Sequence, residues 1–178
     1  MQFSPLIIAL VALARWLTSA EHPMGEAEAK AAELAKMKAA EAKKPLSKEE
    51  LAKVIETAIR KVANKPTGEL TKADLEKVTW LNFNFNQLTE VKGLEKLTQL
   101  EFLNLAYNQL TDVKGLENFT QLKGLNLAYN KLTDVKGLEK LTKLQWLRLQ
   151  DNPALTKAQI AELQKALPKC DIYSNAKK

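Results

Sequence analysis

Four asparagines, Asn86, Asn108, Asn130 and Asn152, follow one another at intervals of 22 residues. A carboxamide donates through its nitrogen and accepts through its oxygen, so each can satisfy backbone groups left unpaired where a chain turns. Recurring at a fixed step, the four form a structural ladder rather than a reactive centre. Reactive chemistry has few candidates. His22 is the only histidine, and it lies beside a run of small residues near the N-terminus, where a solvated role is expected. Cys170 is the only cysteine, which excludes an internal disulfide, and it stands where an inward apolar group is due, as a small buried hydrophobe. No Cys/His cluster has metal-ligand spacing. The glycines of the repeated stretch stand alone, unlike those of a phosphate loop. Glu95, Glu117 and Glu139 recur in phase with Lys92, Lys114 and Lys136, which repetition explains better than a catalytic carboxylate pair. Asn118-Phe119-Thr120 matches a glycosylation sequon and is read as chance. No catalytic residue, metal site or cofactor is expected.

Binding chemistry has better candidates. Leu103 and Leu105 alternate, so both point to one face of a short strand. Phe102, Asn104 and Ala106 then point to the other. Reading every 22-residue copy in this way gives columns on an exposed face. The first holds Trp80, Phe102, Gly124, Trp146 and Lys169; the second holds Asn82, Asn104, Asn126, Arg148 and Asp171. The third holds Asn84, Ala106, Ala128, Gln150 and Tyr173, with Phe85, Tyr107, Tyr129 and Asp151 beside it. Large rings and an arginine on an exposed surface match the residue types that dominate protein interfaces. The expected partner-binding residues are therefore Trp80, Asn82, Phe102, Asn104, Asn126, Trp146 and Arg148. Phe85, Tyr107 and Tyr129 either join them or cover the asparagine turns. Gly124, between two large rings, is expected to leave a notch.

The elements that hold these residues follow from the same period. Leu81, Leu103, Leu125 and Leu147 keep the 22-residue step, and so do Phe83, Leu105, Leu127 and Leu149. After Asn108, Gly115 permits a backbone conformation that other residues resist. Leu110, Val113, Leu116 and Phe119 return the chain with apolar groups inward. One unit cannot bury these groups alone; its neighbours bury them, which is why the unit is copied. The unit reads LxxLxLxxNxLxxVxGLxxL. Over about residues 67–178 it resembles the leucine-rich repeat in its 22-residue class, and it is similar to bacterial internalins. The resemblance implies an α/β solenoid with a parallel concave sheet of strands.

Both ends differ from the repeats. Residues 1–20 contain PLIIALVALA followed by Thr18-Ser19-Ala20, the pattern of a signal peptide. Residues 21–46 are rich in Ala, Glu and Lys and read as a helical spacer. Residues 47–77 form a helical N-terminal cap. It begins with a capping box at Ser47 and Glu50, and Leu51, Val54, Ile55, Ala58, Ile59 and Val62 follow at helical spacing. The repeats occupy 78–153. Residues 154–178 form a helix-strand cap, opened by a capping box at Thr156 and Gln159. Cys170, Ile172 and Asn175 match Leu147, Leu149 and Asn152 at an offset of 23, which predicts a fifth, closing strand in that register.

The net charge is +6, but lysines interleave with acids in the repeats, so nucleic acid is not an expected partner. The expected function is a non-enzymatic module binding a protein or peptide on the strand face, as the resemblance to leucine-rich repeat domains also implies. The alternative is a cell-envelope or glycan-binding surface protein, since exposed rings also stack on sugars. A monomer is expected. Export is expected too, to the periplasm, cell surface or medium, with the cytoplasm as the location if residues 1–20 are not a signal.

Overall fold

The computed structural model describes Ala35 and residues 46–176. The chain divides after Ala35, a helical and exposed position, and all elements below belong to the second unit, Lys36–Lys178. The expected signal peptide at 1–20 lies outside the described residues, as does the spacer at 21–46 apart from Ala35 and Leu46.

The first element is helix α1, Lys48–Val62. The Glu50 N–H donates to Ser47 Oγ at 3.3 Å, and the Ser47 N–H donates to Glu50 Oε2 at 2.8 Å. Glu49 and Glu50 sit in the first turn, and Arg60 and Lys61 in the last, matching the helix dipole. Leu51, Ile55 and Ile59 are buried at four-residue spacing, with Val54 and Ala58 partly covered. Val62 falls off this stripe and is exposed. The helix stops at Ala63, and Asn64 takes a φ of 51°. Arg60 ties down the following loop, donating to Glu56 Oε1 at 2.8 Å and to the Gly68 carbonyl at 2.9 Å.

Helix α2 is one short turn, Lys72–Glu76, capped by Thr71. Its Asp74 carboxylate accepts from Lys65 Nζ at 2.6 Å, Thr71 Oγ1 at 2.7 Å and the Thr71 N–H at 3.0 Å. The Lys65 hydrogen bond, followed by the two from Thr71, holds this carboxyl well below the usual carboxylate range.

Five strands follow: β1 Trp80–Asn82, β2 Phe102–Asn104, β3 Gly124–Asn126, β4 Trp146–Arg148 and β5 Asp171–Tyr173. They form one parallel sheet in sequence order. Each is three residues long with one inward apolar residue at its centre, a leucine in β1 to β4 and Ile172 in β5. Leu81, Leu103, Leu125 and Leu147 are paired in register and fully buried. The return side closes with Val91, Leu94, Leu97 and Leu100 and their equivalents in later coils, all buried. Burying each such side chain is worth about 1.5–3 kcal/mol. Short 3-10 turns, Leu116–Asn118 and Leu138–Lys140, mark the return side of two coils.

Gly93, Gly115 and Gly137 have φ of 100°, 90° and 101°, a region costly for other residues. Each glycine N–H donates to the glutamate two residues on, at 2.8, 2.7 and 2.6 Å for Glu95, Glu117 and Glu139. The in-phase glutamates therefore cap the return turns, and the Gly93 N–H lowers the pKa of Glu95.

Helix α3, Lys157–Ala166, opens with the Thr156–Gln159 capping box. The strand behind it corrects one expectation. β5 pairs Trp146 with Asp171, Leu147 with Ile172 and Arg148 with Tyr173, an offset of 25 rather than 23. The reason lies in Cys170. Its N–H donates to the Leu167 carbonyl at 3.1 Å, as those of Leu100, Leu122 and Leu144 do to Leu97, Phe119 and Leu141. Cys170 is thus the last buried apolar residue of the return side, not a strand residue. Lys169 leaves the first column, Asp171 enters it, and Tyr173 moves to the second. Asn175 does not extend the ladder; it accepts from the Asp151 N–H at 2.8 Å and donates to Asp151 Oδ1 at 3.0 Å.

Candidate functional site

The asparagines brace the turn that ends each strand. Asn108 Nδ2 donates to the carbonyls of Phe83, Leu105 and Ala106, while its Oδ1 accepts from the Asn86 and Leu88 N–H groups at 3.1 and 2.9 Å. Asn130 and Asn152 repeat this pattern one and two coils on, accepting from the Leu110 and Leu132 N–H groups. All three are buried. Asn86 has no earlier coil of this kind to reach, and its Nδ2 donates to the nearby Asn84 carbonyl at 2.8 Å.

The residue before each asparagine takes a left-handed conformation: Phe85, Tyr107, Tyr129 and Asp151 have φ of 60°, 56°, 56° and 56°. Large rings are unusual there. They are held by one another. Phe85 stacks on Tyr107 at 4.2 Å and Tyr107 on Tyr129 at 4.3 Å, nearly parallel in both cases. These rings form a separate stack beside the face. Ala106 and Ala128, expected to point outward, are buried instead. The strands end at Asn104 and Asn126, so the alternation that would expose the two alanines ends there too.

The strand face gathers the remaining candidates. Trp80 is 52% exposed, and Phe102 and Trp146 are half-buried. The notch expected at Gly124 is filled. Phe102 and Trp146 lean toward each other across it, with ring centroids 6.4 Å apart. A Cβ at Gly124 would collide with the Trp146 ring and stand 2.8 Å from Phe102 Cδ1. Gly124 is therefore the seat on which the two rings meet.

The second column has a chemical character its composition does not show. Oδ1 of Asn82, Asn104 and Asn126 accepts from the N–H of Asn84, Ala106 and Ala128 at 3.0, 3.0 and 3.1 Å. The backbone thus occupies the acceptor end of each amide and leaves its donor end for the face. In register after Asn126 comes Arg148, exposed, with its guanidinium carbon 5.9 Å from the Trp146 ring centroid. A cation over an indole is held by the ring quadrupole.

Trp80, Phe102, Asn104, Asn126, Trp146 and Arg148 line one depression of about 640 Å³, together with Asp171 and Tyr173. The last two were placed in the wrong columns by sequence alone, because the insertion before β5 hides their register. Asn82 stands outside this lining. A second groove, of about 480 Å³, runs between α1 and the first coil over Leu51, Ile55 and Leu75. It is the seam where the cap packs. Among the described residues there is no group of metal-ligating side chains, and no helix is long and apolar enough to cross a membrane.

Residues 76–118 match the family model for leucine-rich repeats in two copies. Among solved structures, an internalin from Listeria monocytogenes is 26% identical with a TM-score of 0.58, over 70% of this chain and 44% of that one. Internalin C2 from the same organism, at 24% identity and a TM-score of 0.59, shares the fold over 68% of this chain and 55% of its own. The chain therefore spans about half the length of the structures it matches. No curated protein is significantly similar to it. With its repeat period, five-stranded parallel sheet and these likenesses, the chain has a leucine-rich repeat fold similar to that of the internalins.

Proposed function

We propose that the chain is a non-enzymatic interaction module that captures a protein or peptide on its strand face. Leucine-rich repeat proteins generally mediate protein–protein contacts. The observation that carries the reading here is the cluster of Trp80, Phe102 and Trp146 beside Arg148 around one depression. Rings and an arginine at the centre of a surface are the residues that anchor interfaces. The test replaces Trp80, Phe102 and Trp146 together with serine. Crosslinking mass spectrometry of the tagged protein in its own host should lose its partner, while the melting temperature falls by only a few degrees. A collapse in stability would make the rings part of the core and remove the docking face.

A second reading, envelope-glycan binding, draws on the exposed Trp80 ring, whose flat side suits a sugar. Retention on cell-wall polysaccharide that the triple serine variant lacks would favour it. Export, by way of residues 1–20, belongs to either reading. Its check is the N-terminus of the mature protein, expected after Ala20.

A further inference from the structure

We infer that the partner segment is an acidic peptide, with an isolated carboxylate bound by Arg148 and an apolar side chain laid over Phe102 and Trp146. The inference rests on the strand face being the docking surface and adds the chemistry of what docks there.

The first argument is the polarity of the second column. Asn82, Asn104, Asn126 and Arg148 stand side by side on adjacent strands, about 4.8 Å apart. The three amides have their oxygens turned to backbone N–H groups, and a guanidinium has no acceptor at all. The column is therefore a row of donors, and its complement is a segment rich in acceptors. An exposed backbone carbonyl serves the amides. The guanidinium asks for a carboxylate, whose two oxygens match its fork.

The second argument is that Arg148 has no acidic partner among the described residues. The exposed ion pairs of the described residues lie elsewhere, with Lys123–Glu101 at 2.8 Å on the neighbouring flank. Arg148 is instead oriented by the Trp146 ring. Fixing the guanidinium in advance reduces the entropy lost when a carboxylate binds.

The third argument limits the number of charges. Among the described residues Arg148 is the one cation lining the depression, and Asp171 lines it too, one strand away. A dense polyanion would set its further charges against Asp171. A single acid among apolar and neutral residues would not. The paired rings beside the column, seated on Gly124, supply the apolar ground for the neighbouring side chain.

The experiment pans the full chain against a random heptapeptide display library, then measures selected peptides by fluorescence anisotropy. Selected peptides should carry one Asp or Glu beside an apolar residue. Changing that acid to its amide should weaken binding about ten- to hundredfold, the scale of a charge-assisted hydrogen bond, and Arg148→Gln should remove the difference. Arg148→Glu should select basic peptides instead. Circular dichroism of both variants must match the parent. Peptides that lose binding to the triple serine variant yet show no acid preference would overturn the inference and leave the docking face standing. Failure to select any peptide would overturn the inference, and the crosslinking comparison with the triple serine variant separately decides whether the face docks a partner. Retention of a sulfated heparin fragment through Arg148, at least as tight as the peptides, would overturn the peptide assignment in favour of a polyanion.

Discussion

Asn108 shows how much one side chain can hold. It makes five hydrogen bonds to backbone groups of two coils. Asn108→Ala takes the partner from the Asn86 and Leu88 N–H groups and from the Phe83 carbonyl, while the Leu105 and Ala106 carbonyls keep the Asn130 amide and the Phe85 N–H; each unsatisfied buried group costs about 1–3 kcal/mol. We expect a loss of about 3–5 kcal/mol in urea unfolding; a loss below about 1 kcal/mol would mean water replaces the amide without penalty. Gly124 has the opposite character, because what matters is the atom it lacks. Gly124→Ala pushes the Trp146 ring off its seat, so tryptophan emission should shift while far-ultraviolet dichroism stays unchanged. An unchanged spectrum would show the rings meeting without the glycine. Cys170 is the third case. Burial, helped by the Asp171 charge, pushes its thiol up to about 11. The folded chain should resist iodoacetamide at about pH 8 and react fully once denatured, since only the thiolate attacks. Prompt labelling of folded protein would contradict the burial of this residue.

At the level of elements, the N-terminal cap carries the clearest pH dependence. Asp74, held low by Lys65 and Thr71, has a folded pKa below that of the unfolded chain, near about 3.9. Its contribution is complete above that value and is lost as pH falls through it toward the folded one. Melting temperatures of the Asp74→Asn variant should lie below the parent at about pH 7 and converge with it toward about pH 2. A constant gap across that range would place the acid sensitivity elsewhere. The elements also show what a linear reading can reach. The first four strands were legible because inward leucines and turn asparagines recur at one constant step. β5 was not. Three of its neighbourhood's residues fit an offset of 23 by type, and only the hydrogen bond from Cys170 to Leu167 reveals the true pairing. On the face, Trp80 and Arg148 could be placed from alternation alone. The filling of Gly124 could not, since it depends on rings one strand away on each side. The donor polarity of Asn104 and Asn126 was hidden for a similar reason: it depends on which end of an amide the backbone takes.

For the whole molecule, stability passes from coil to coil. Each coil buries its apolar residues only against its neighbours, so the two caps matter more than their size suggests. Removing 154–178 would uncover Leu144, Leu147 and Leu149, all now buried. The truncated chain should aggregate or bind a hydrophobic dye at concentrations where the full chain stays clear and does not. A soluble truncation with an unchanged cooperative melt would show that the fourth coil closes the stack unaided. The pairing of the strands has one more consequence. From β1 to β4 the partners stand a constant 22 residues apart, and only the last step, to β5, is longer. A duplicated stretch of 22 codons inserted upstream of Asp151 would meet matching bonds on either side. Unequal recombination can therefore lengthen or shorten the strand face in whole steps, while leaving both ends as they are.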